Sequence, residues 1–287
     1  MNNTPTLEDL INEKKLTDEQ YEKELSKLNK FTGNQNVRCL AGNPIIYHHQ
    51  IKNLVKVKAR KHFTFYEYMN DTELKQKLLD MTIKRRYKIT PFNMYQTYSA
   101  NKNSISFFKP TVSKYIYKYY GATNVLDFTA GWGGRMLGAH SLNISYTGID
   151  SNENMKQGYT EMIDKLKDDK LKMIWGNCLN VDLSKIDFDL VLTSPPYLNL
   201  EKYEMMDLFK DKDDFYNNFL IIMLNRCSEH IKNNGWICLN ISIPMYNDLT
   251  KNYKYKECDE QHILQNSRGP KNLNRKEYIY CWKVDRP

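Results

Sequence analysis

Close cysteine pairs are missing from this 287-residue chain: its six cysteines, Cys39, Cys178, Cys227, Cys238, Cys258 and Cys281, are scattered. That spacing argues against a zinc site and against a disulfide framework. Reduced thiols in a cytosolic or nuclear-type compartment are therefore the expectation, with no metal. Long apolar runs are missing too. None approaches the roughly 18 residues of a membrane-spanning helix, and the first residues are polar and acidic, so neither a membrane partner nor a secretory signal is expected. His48 and His49 stand side by side without a set of metal partners around them, and no role is assigned to them.

Acidic residues are scarce in one long stretch. Residues 31–110 carry 14 Lys and Arg against 4 Asp and Glu, and residues 250–287 carry 9 against 5. The whole chain has a formal charge of +8, so the middle is slightly acidic. Basic flanks around a non-basic centre suit a protein whose centre binds a small molecule while its flanks meet a polyanion.

Against these absences stands Phe188-Asp189-Leu190-Val191-Leu192-Thr193-Ser194-Pro195-Pro196-Tyr197. Leu190 to Leu192 read as a strand buried on both faces of a parallel sheet. Pro195 and Pro196 lack amide donors and must end it. Ser194 and Tyr197 are thus held at the carboxyl end of a buried strand, where ligands bind in open α/β sheets. A Ser194 hydroxyl and a Pro195 carbonyl can accept hydrogen bonds while the Tyr197 ring stacks on something flat. A planar ring bearing an amino group satisfies all three. Two acceptors on that group would turn its nitrogen towards sp3 and aim the lone pair outward, which is catalysis by orientation and electrostatics.

Thr193-Ser194-Pro195-Pro196-Tyr197 resembles motif IV of the amino-methyltransferases, which methylate the exocyclic nitrogen of adenine or cytosine in DNA. The resemblance implies a catalytic set of Ser194, Pro195, Pro196 and Tyr197, and S-adenosylmethionine as methyl donor. It also implies duplex DNA as partner, with the target base flipped out of the helix. Serine at position 194 goes more often with cytosine N4, so N4-methylcytosine is the expected product, with adenine N6 or an RNA base as alternatives. Ring-carbon methylation is not expected, because the motif places Tyr197 where a cysteine nucleophile would stand.

Other stretches agree with this. Val125-Leu126-Asp127-Phe128-Thr129-Ala130-Gly131-Trp132-Gly133-Gly134-Arg135 reads as a strand, an acid at its end, and a glycine turn into a helix. Asp150, some 20 residues on, ends a second strand where a carboxylate can take ribose hydroxyls. No complete dinucleotide fingerprint and no second mononucleotide half are present, so a mononucleoside-sized cofactor fits best. By resemblance, Lys109 and Pro110 match the segment lining the methionine end of the pocket. Asp127, Thr129, Ala130, Gly131 and Gly133 fall on the methionine loop, and Asp150 with Ser151 on the ribose. Asn177 and Cys178 fall on the adenine side, and Thr193, just before the catalytic tetrapeptide, is also counted among the cofactor-binding residues. Two departures stand out: Thr129 where the family has Phe, and Asn177 where it has an acid. Trp132 fits either a pocket wall or the core.

The resemblance covers residues 107–283 and implies a Rossmann-like class I methyltransferase fold. That is an α/β architecture: a mostly parallel seven-stranded sheet, helices on both faces and an antiparallel last strand, read at 277–283. Residues 107–287 would form the catalytic domain. Residues 1–106 would be a mainly helical basic extension serving DNA recognition or dimerisation, with a homodimer as one outcome. Within it, 7–30 reads as one or two amphipathic helices and 72–88 as another. Residues 54–61 alternate basic and apolar side chains, as in a strand or a helix. Pro91 to Tyr98 mixes aromatic and polar residues near cations, suiting nucleic-acid contact or packing. The insertion 244–276 carries Arg268, Lys271, Arg275 and Lys276, the expected phosphate contacts, and 198–204 is expected to form a loop over the substrate.

Overall fold

The computed structural model describes residues 4–34, 39–57, 63–102, 107–196, 209–264 and 277–285. Its centre is one seven-stranded sheet: β1 (Asn124–Asp127), β2 (Ser145–Asp150), β3 (Leu171–Trp175), β4 (Leu190–Thr193), β5 (Gly235–Ile241), β6 (Glu260–Leu264) and β7 (Glu277–Val284). The order across the sheet is β3-β2-β1-β4-β5-β7-β6. The first five strands are parallel, and β7 runs antiparallel to both β5 and β6. This is the Rossmann-like class I methyltransferase fold, with the chain order reversing between β1 and β4.

Alternation along the central strands explains the two-sided burial. Val125, Leu190, Leu192, Cys238 and Ile279 face one apolar cluster, while Leu126, Val191, Ile237, Leu239 and Tyr280 face the other. The first face is covered by α7 (Pro110–Tyr119), α8 (Gly134–His140) and α9 (Lys156–Leu166). The second is covered by a helical stretch that starts as α10 (Lys212–Phe215), passes through a π turn and continues as α11 (Ile221–His230), and by α12 (Ile243–Asn247).

The N-terminal part is helical: α1 (Leu7–Lys14), α2 (Asp18–Lys30), α3 (Asn43–Leu54), α4 (Phe65–Asn70), α5 (Thr72–Lys84) and α6 (Pro91–Lys102). Thr6 with Asp9, and Thr17 with Gln20, form reciprocal capping boxes that start α1 and α2. Helix α3 has little amphipathic character because it is wedged between two cores. Ile45, Ile46 and Leu54 join the sheet-side cluster, while Ile51 joins a third cluster with Leu10, Phe65, Leu78, Met94, Tyr95 and Tyr98. The basic-apolar alternation after it is no strand in its described part: Leu54 ends α3 and a turn follows. The aromatic segment from Pro91 is α6, with Tyr95 and Tyr98 turned into that third core, so packing claims those two rings.

Two sets of polar contacts join the N-terminal helices to the helices that cover the sheet. Lys114 of α7 reaches down to donate to the carbonyls of Leu28 and Asn29 at 2.8 Å each, capping the end of α2. Gln50 of α3 donates from Nε2 to the Met155 carbonyl at 3.2 Å, at the start of α9. Among the described residues, no helix is long and apolar enough to cross a membrane.

Candidate active site at the carboxyl edge of the sheet

The carboxylate of Asp127, at the end of β1, is wholly buried and surrounded by donors. Its Oδ2 receives Arg135 Nε at 2.6 Å and the Tyr146 hydroxyl at 2.7 Å. Its Oδ1 receives the Thr193 hydroxyl at 2.8 Å and, more distantly, the Thr129 amide at 3.4 Å. Arg135 is also buried and donates to the Thr129 carbonyl at 2.5 Å. Burial alone would pull the guanidinium pKa down, but the Asp127 charge and hydrogen bond overcome it and the net shift is upward. Asp127 therefore holds four segments together: its own loop, β2, β4 and α8. Its oxygens are engaged inside the protein.

Above it, the glycine loop takes a shape that side chains resist. Gly131 has φ +60° and Gly133, the residue that caps α8, has φ +95°. The loop is fastened from beneath by the Tyr159 hydroxyl, which donates to the Ala130 and Gly131 carbonyls at 3.2 and 2.9 Å. Trp132 packs into the sheet-side core. Gly134 and Gly138, one turn apart on α8, allow α7 to lie close. A Cβ on Gly134 would fall 1.8 Å from the Phe108 carbonyl, and one on Gly138 would fall 2.1 Å from Ser113 Oγ. This contact sets Lys109 and Pro110 beside the glycine loop. Lys109 also lies near Glu277 of β7, whose carboxyl is pushed above its ordinary range by burial against an opposing pull from the Lys109 charge.

Asp150 ends β2 beside the same loop. Its Oδ2 accepts the Gly131 amide at 2.8 Å and its Oδ1 the Asn152 amide at 2.9 Å, leaving each oxygen a lone pair. Burial raises its pKa to about 6, against those two backbone donors, which pull it down. Ser151 follows, half-buried. Beyond β3, Gly176 has φ +141° and open space where a Cβ would stand. Asn177 is exposed and uses its side-chain oxygen to accept the Leu179 amide at 3.0 Å. Cys178 is buried and its thiol is pushed up to about 12 by burial, too high for a thiolate nucleophile at neutral pH. Arg226 of α11 fixes this turn by donating to the carbonyls of Cys178, Leu179 and Val181.

At the end of β4, Thr193 donates to Asp127 and so receives the Thr129 hydroxyl at 2.5 Å. Ser194 is half-buried and donates toward the backbone and side-chain oxygens of Asn240 at 3.3 and 3.4 Å. Pro195 is buried and Pro196 half-buried. Tyr197, the 198–204 loop, and Arg268, Lys271, Arg275 and Lys276 lie outside the described residues. Among the described residues, no group of three or more His, Cys, Asp or Glu could hold a metal ion.

The structure thus brings Asp127, Thr129, Ala130, Gly131, Gly133, Asp150, Thr193 and Ser194 to one edge of the sheet, with Lys109 and Pro110 against its α7 side. Sequence reasoning missed Arg135, Tyr146, Tyr159, Arg226 and Asn240. Arg135 is the one with a signal: a cation directly after a glycine turn, eight residues past a buried acid at the end of a strand, has little else to pair with.

No protein-family model matches this chain, and no curated protein sequence does. Solved structures resemble it weakly. TrmN from Thermus thermophilus is 13% identical with a TM-score of 0.43, covering 61% of this chain and 48% of its own, so the match spans about half of that protein. An RNA methyltransferase from Salinibacter ruber, in complex with S-adenosyl-L-homocysteine, is 11% identical with a TM-score of 0.41, over 64% of this chain and 95% of its own. TehB from Haemophilus influenzae is 16% identical with a TM-score of 0.42, over 67% and 66%. These likenesses lie in the fold; strand order and site geometry carry the functional reading.

Proposed function

We propose that this chain is an S-adenosylmethionine-dependent methyltransferase acting on the exocyclic amino group of a nucleic-acid base, cytosine N4 in DNA foremost. The observation that carries the reading is the tie between Thr193 and the Asp127–Thr129 turn, which seats Ser194-Pro195-Pro196 directly against the glycine loop.

The residues fit the cofactor. A half-buried carboxylate at Asp150, two amide donors already aligned on it, and the open backbone at Gly176 suit a nucleoside. Asp150 would accept the ribose hydroxyls, Gly176 to Cys178 would border the adenine, and Gly131, Gly133 and Lys109 would border the methionine. When bound, S-adenosylmethionine supplies an electrophilic methyl group on a sulfonium. Ser194 would accept one N–H of the target amino group and the Pro195 carbonyl the other, exposing the nitrogen lone pair for in-line attack. Tyr197 would stack on the base. No covalent enzyme intermediate is needed, since the target nitrogen would itself take the methyl group and then release its extra proton to solvent.

A nucleic-acid substrate is supported by the turn between α5 and α6. Lys84, Arg85, Arg86, Tyr87 and Lys88 are all exposed. The turn is well built: Arg86 has φ +58°, its amide donates to the Ile83 carbonyl at 2.7 Å, and Asn93 Nδ2 donates to the Lys88 carbonyl at 2.9 Å. Cations beside an exposed ring suit phosphate and base contact.

The test is methyl transfer from labelled S-adenosylmethionine to unmodified duplex DNA, followed by digestion and mass identification of the nucleosides. N4-methylcytosine is the expected product. N6-methyladenine would keep the mechanism and change the base, and label in structured RNA alone would reject DNA as substrate. Ser194→Ala should cut turnover while cofactor affinity stays nearly constant; equal loss of both would remove Ser194 from the chemistry.

A further inference from the structure

We infer that Asn240 is a positioning residue that fixes the Ser194 hydroxyl as an acceptor. This rests on the reading of Ser194 as a partner of the target amino group. The problem it solves is general to a serine in that place. A hydroxyl both donates and accepts, and one whose proton points at the target would oppose an amino group, whose hydrogens need lone pairs.

Asn240 removes that ambiguity. It lies on β5, one residue past Leu239, which pairs with Thr193 at the end of β4, so its side chain stands next to Ser194. It is 6% exposed, and so belongs to the few polar side chains buried in this half of the molecule. Its Nδ2 donates to the Tyr278 carbonyl of β7 at 3.0 Å, which leaves Oδ1 as the end facing Ser194. The Ser194 proton is then directed at the Asn240 backbone carbonyl and Oδ1 together, at 3.3 and 3.4 Å. Both oxygens are pure acceptors, so Ser194 can only donate to them. Its lone pairs are left for the target nitrogen's hydrogens. The chain of contacts runs Tyr278 carbonyl, Asn240 amide, Ser194 hydroxyl, target amino group, and each link sets the polarity of the next.

A merely structural asparagine would not produce this ordering of effects. Asn240→Leu keeps the volume and removes the side-chain acceptor; Asn240→Asp keeps an acceptor for Ser194 and, when ionised, gives up the donor to Tyr278. Single-turnover methyl transfer to duplex DNA would be measured for both, alone and in a Ser194→Ala background, with cofactor affinity by calorimetry and melting temperature alongside. Expected for Asn240→Leu is a loss in turnover of about two- to fivefold, less than one whole hydrogen bond because the backbone carbonyl still accepts, at unchanged cofactor affinity. Asn240→Asp should retain more activity below the titration of its new carboxyl, where the protonated side chain can donate to the Tyr278 carbonyl and still accept from Ser194, and lose it above, where the ionised side chain faces that carbonyl. In the Ser194→Ala background neither change should cost anything further.

If Ser194→Ala leaves turnover intact, the underlying reading of Ser194 fails. If Ser194→Ala is slow but Asn240→Leu slows it again by the same factor, the residues act independently and this inference fails alone. Should Asn240→Leu not fold, the pH profile of Asn240→Asp decides, since activity that does not follow the new carboxylate overturns the proposal.

Discussion

The hydroxyl of Thr193, at the last residue of β4, donates at 2.8 Å to Oδ1 of Asp127, at the last residue of β1. The two strands are neighbours in the sheet at the point where chain order reverses. This hydrogen bond ties the glycine loop and the Ser-Pro-Pro turn into one unit from within the buried interior.

Thr193→Val tests that unit with little change of shape. It removes a donor from a buried carboxylate and should cost about 1–3 kcal/mol, the desolvation penalty of a group left short of a partner. Thermal or urea unfolding measures it. A neutral result would mean the strand ends are held by packing alone.

The ion pair beneath the loop is more sensitive. Arg135→Met leaves the Asp127 charge buried beside only neutral donors and should cost about 3–5 kcal/mol. Adding Asp127→Leu should recover part of this, though not all, because the Tyr146 and Thr193 hydroxyls then lack their acceptor. Denaturant titration of the single and double variants would show the recovery, and strict additivity would contradict the pair.

Asp150 predicts a pH dependence. Its pKa is raised to about 6 in the folded protein, above its ordinary value. The sign follows: the cost of keeping it ionised is fully present above pH 6 and relieved as pH falls through it, so the free protein gains stability from this group on acidification. In the role proposed for it, Asp150 accepts ribose hydroxyls in its ionised form. Cofactor affinity should therefore be flat above pH 7 and fall below pH 6, towards tenfold per pH unit. Isothermal titration from pH 5 to 8 would check this, and Asp150→Asn should bind weakly without the slope.

The two glycines of α8 should differ. Gly134→Ala drives a methyl group to 1.8 Å from the Phe108 carbonyl oxygen, which is backbone and must move; Gly138→Ala meets the Ser113 hydroxyl, which can rotate, and the Lys114 backbone nitrogen only at 2.9 Å. Overpacking of this kind costs about 1–3 kcal/mol, with Gly134→Ala the worse. Melting temperatures would rank them, and the reverse order would mean that α7 gives way more easily than Ser113.

Charge reversal on the α5–α6 turn, Arg85→Glu with Arg86→Glu, should weaken nucleic-acid binding and leave cofactor affinity alone. The slope of log affinity against log salt should shrink by about 0.9 for each duplex phosphate that the turn no longer neutralises. An unchanged slope would take the turn out of the interface.

What the sequence by itself determined is local or periodic. The buried strand at Leu190–Thr193, its stop at two prolines, the glycine turn after Asp127 and the acid at Asp150 are each written in a few adjacent residues, because strand burial, ring constraint and positive φ are properties of short segments. The stretch 7–30 was legible as one or two amphipathic helices from its periodicity, and it forms α1 and α2. Tertiary structure decided what depends on partners distant in the chain. Helix α3, apolar on two sides, has no amphipathic stripe to read, since two cores claim it. Strand β6 is a five-residue edge that pairs only with β7, so its residues carry the pattern of an insertion. The resemblance set Asp127 on the methionine loop of the cofactor. Only the packing brings Arg135, Tyr146 and Thr193 onto its oxygens and makes it the fastening beneath the site. Asn240 sits in an ordinary strand sequence and becomes informative only when β4 lies beside β5, because a hydrogen bond has a direction that no spacing along the chain can specify.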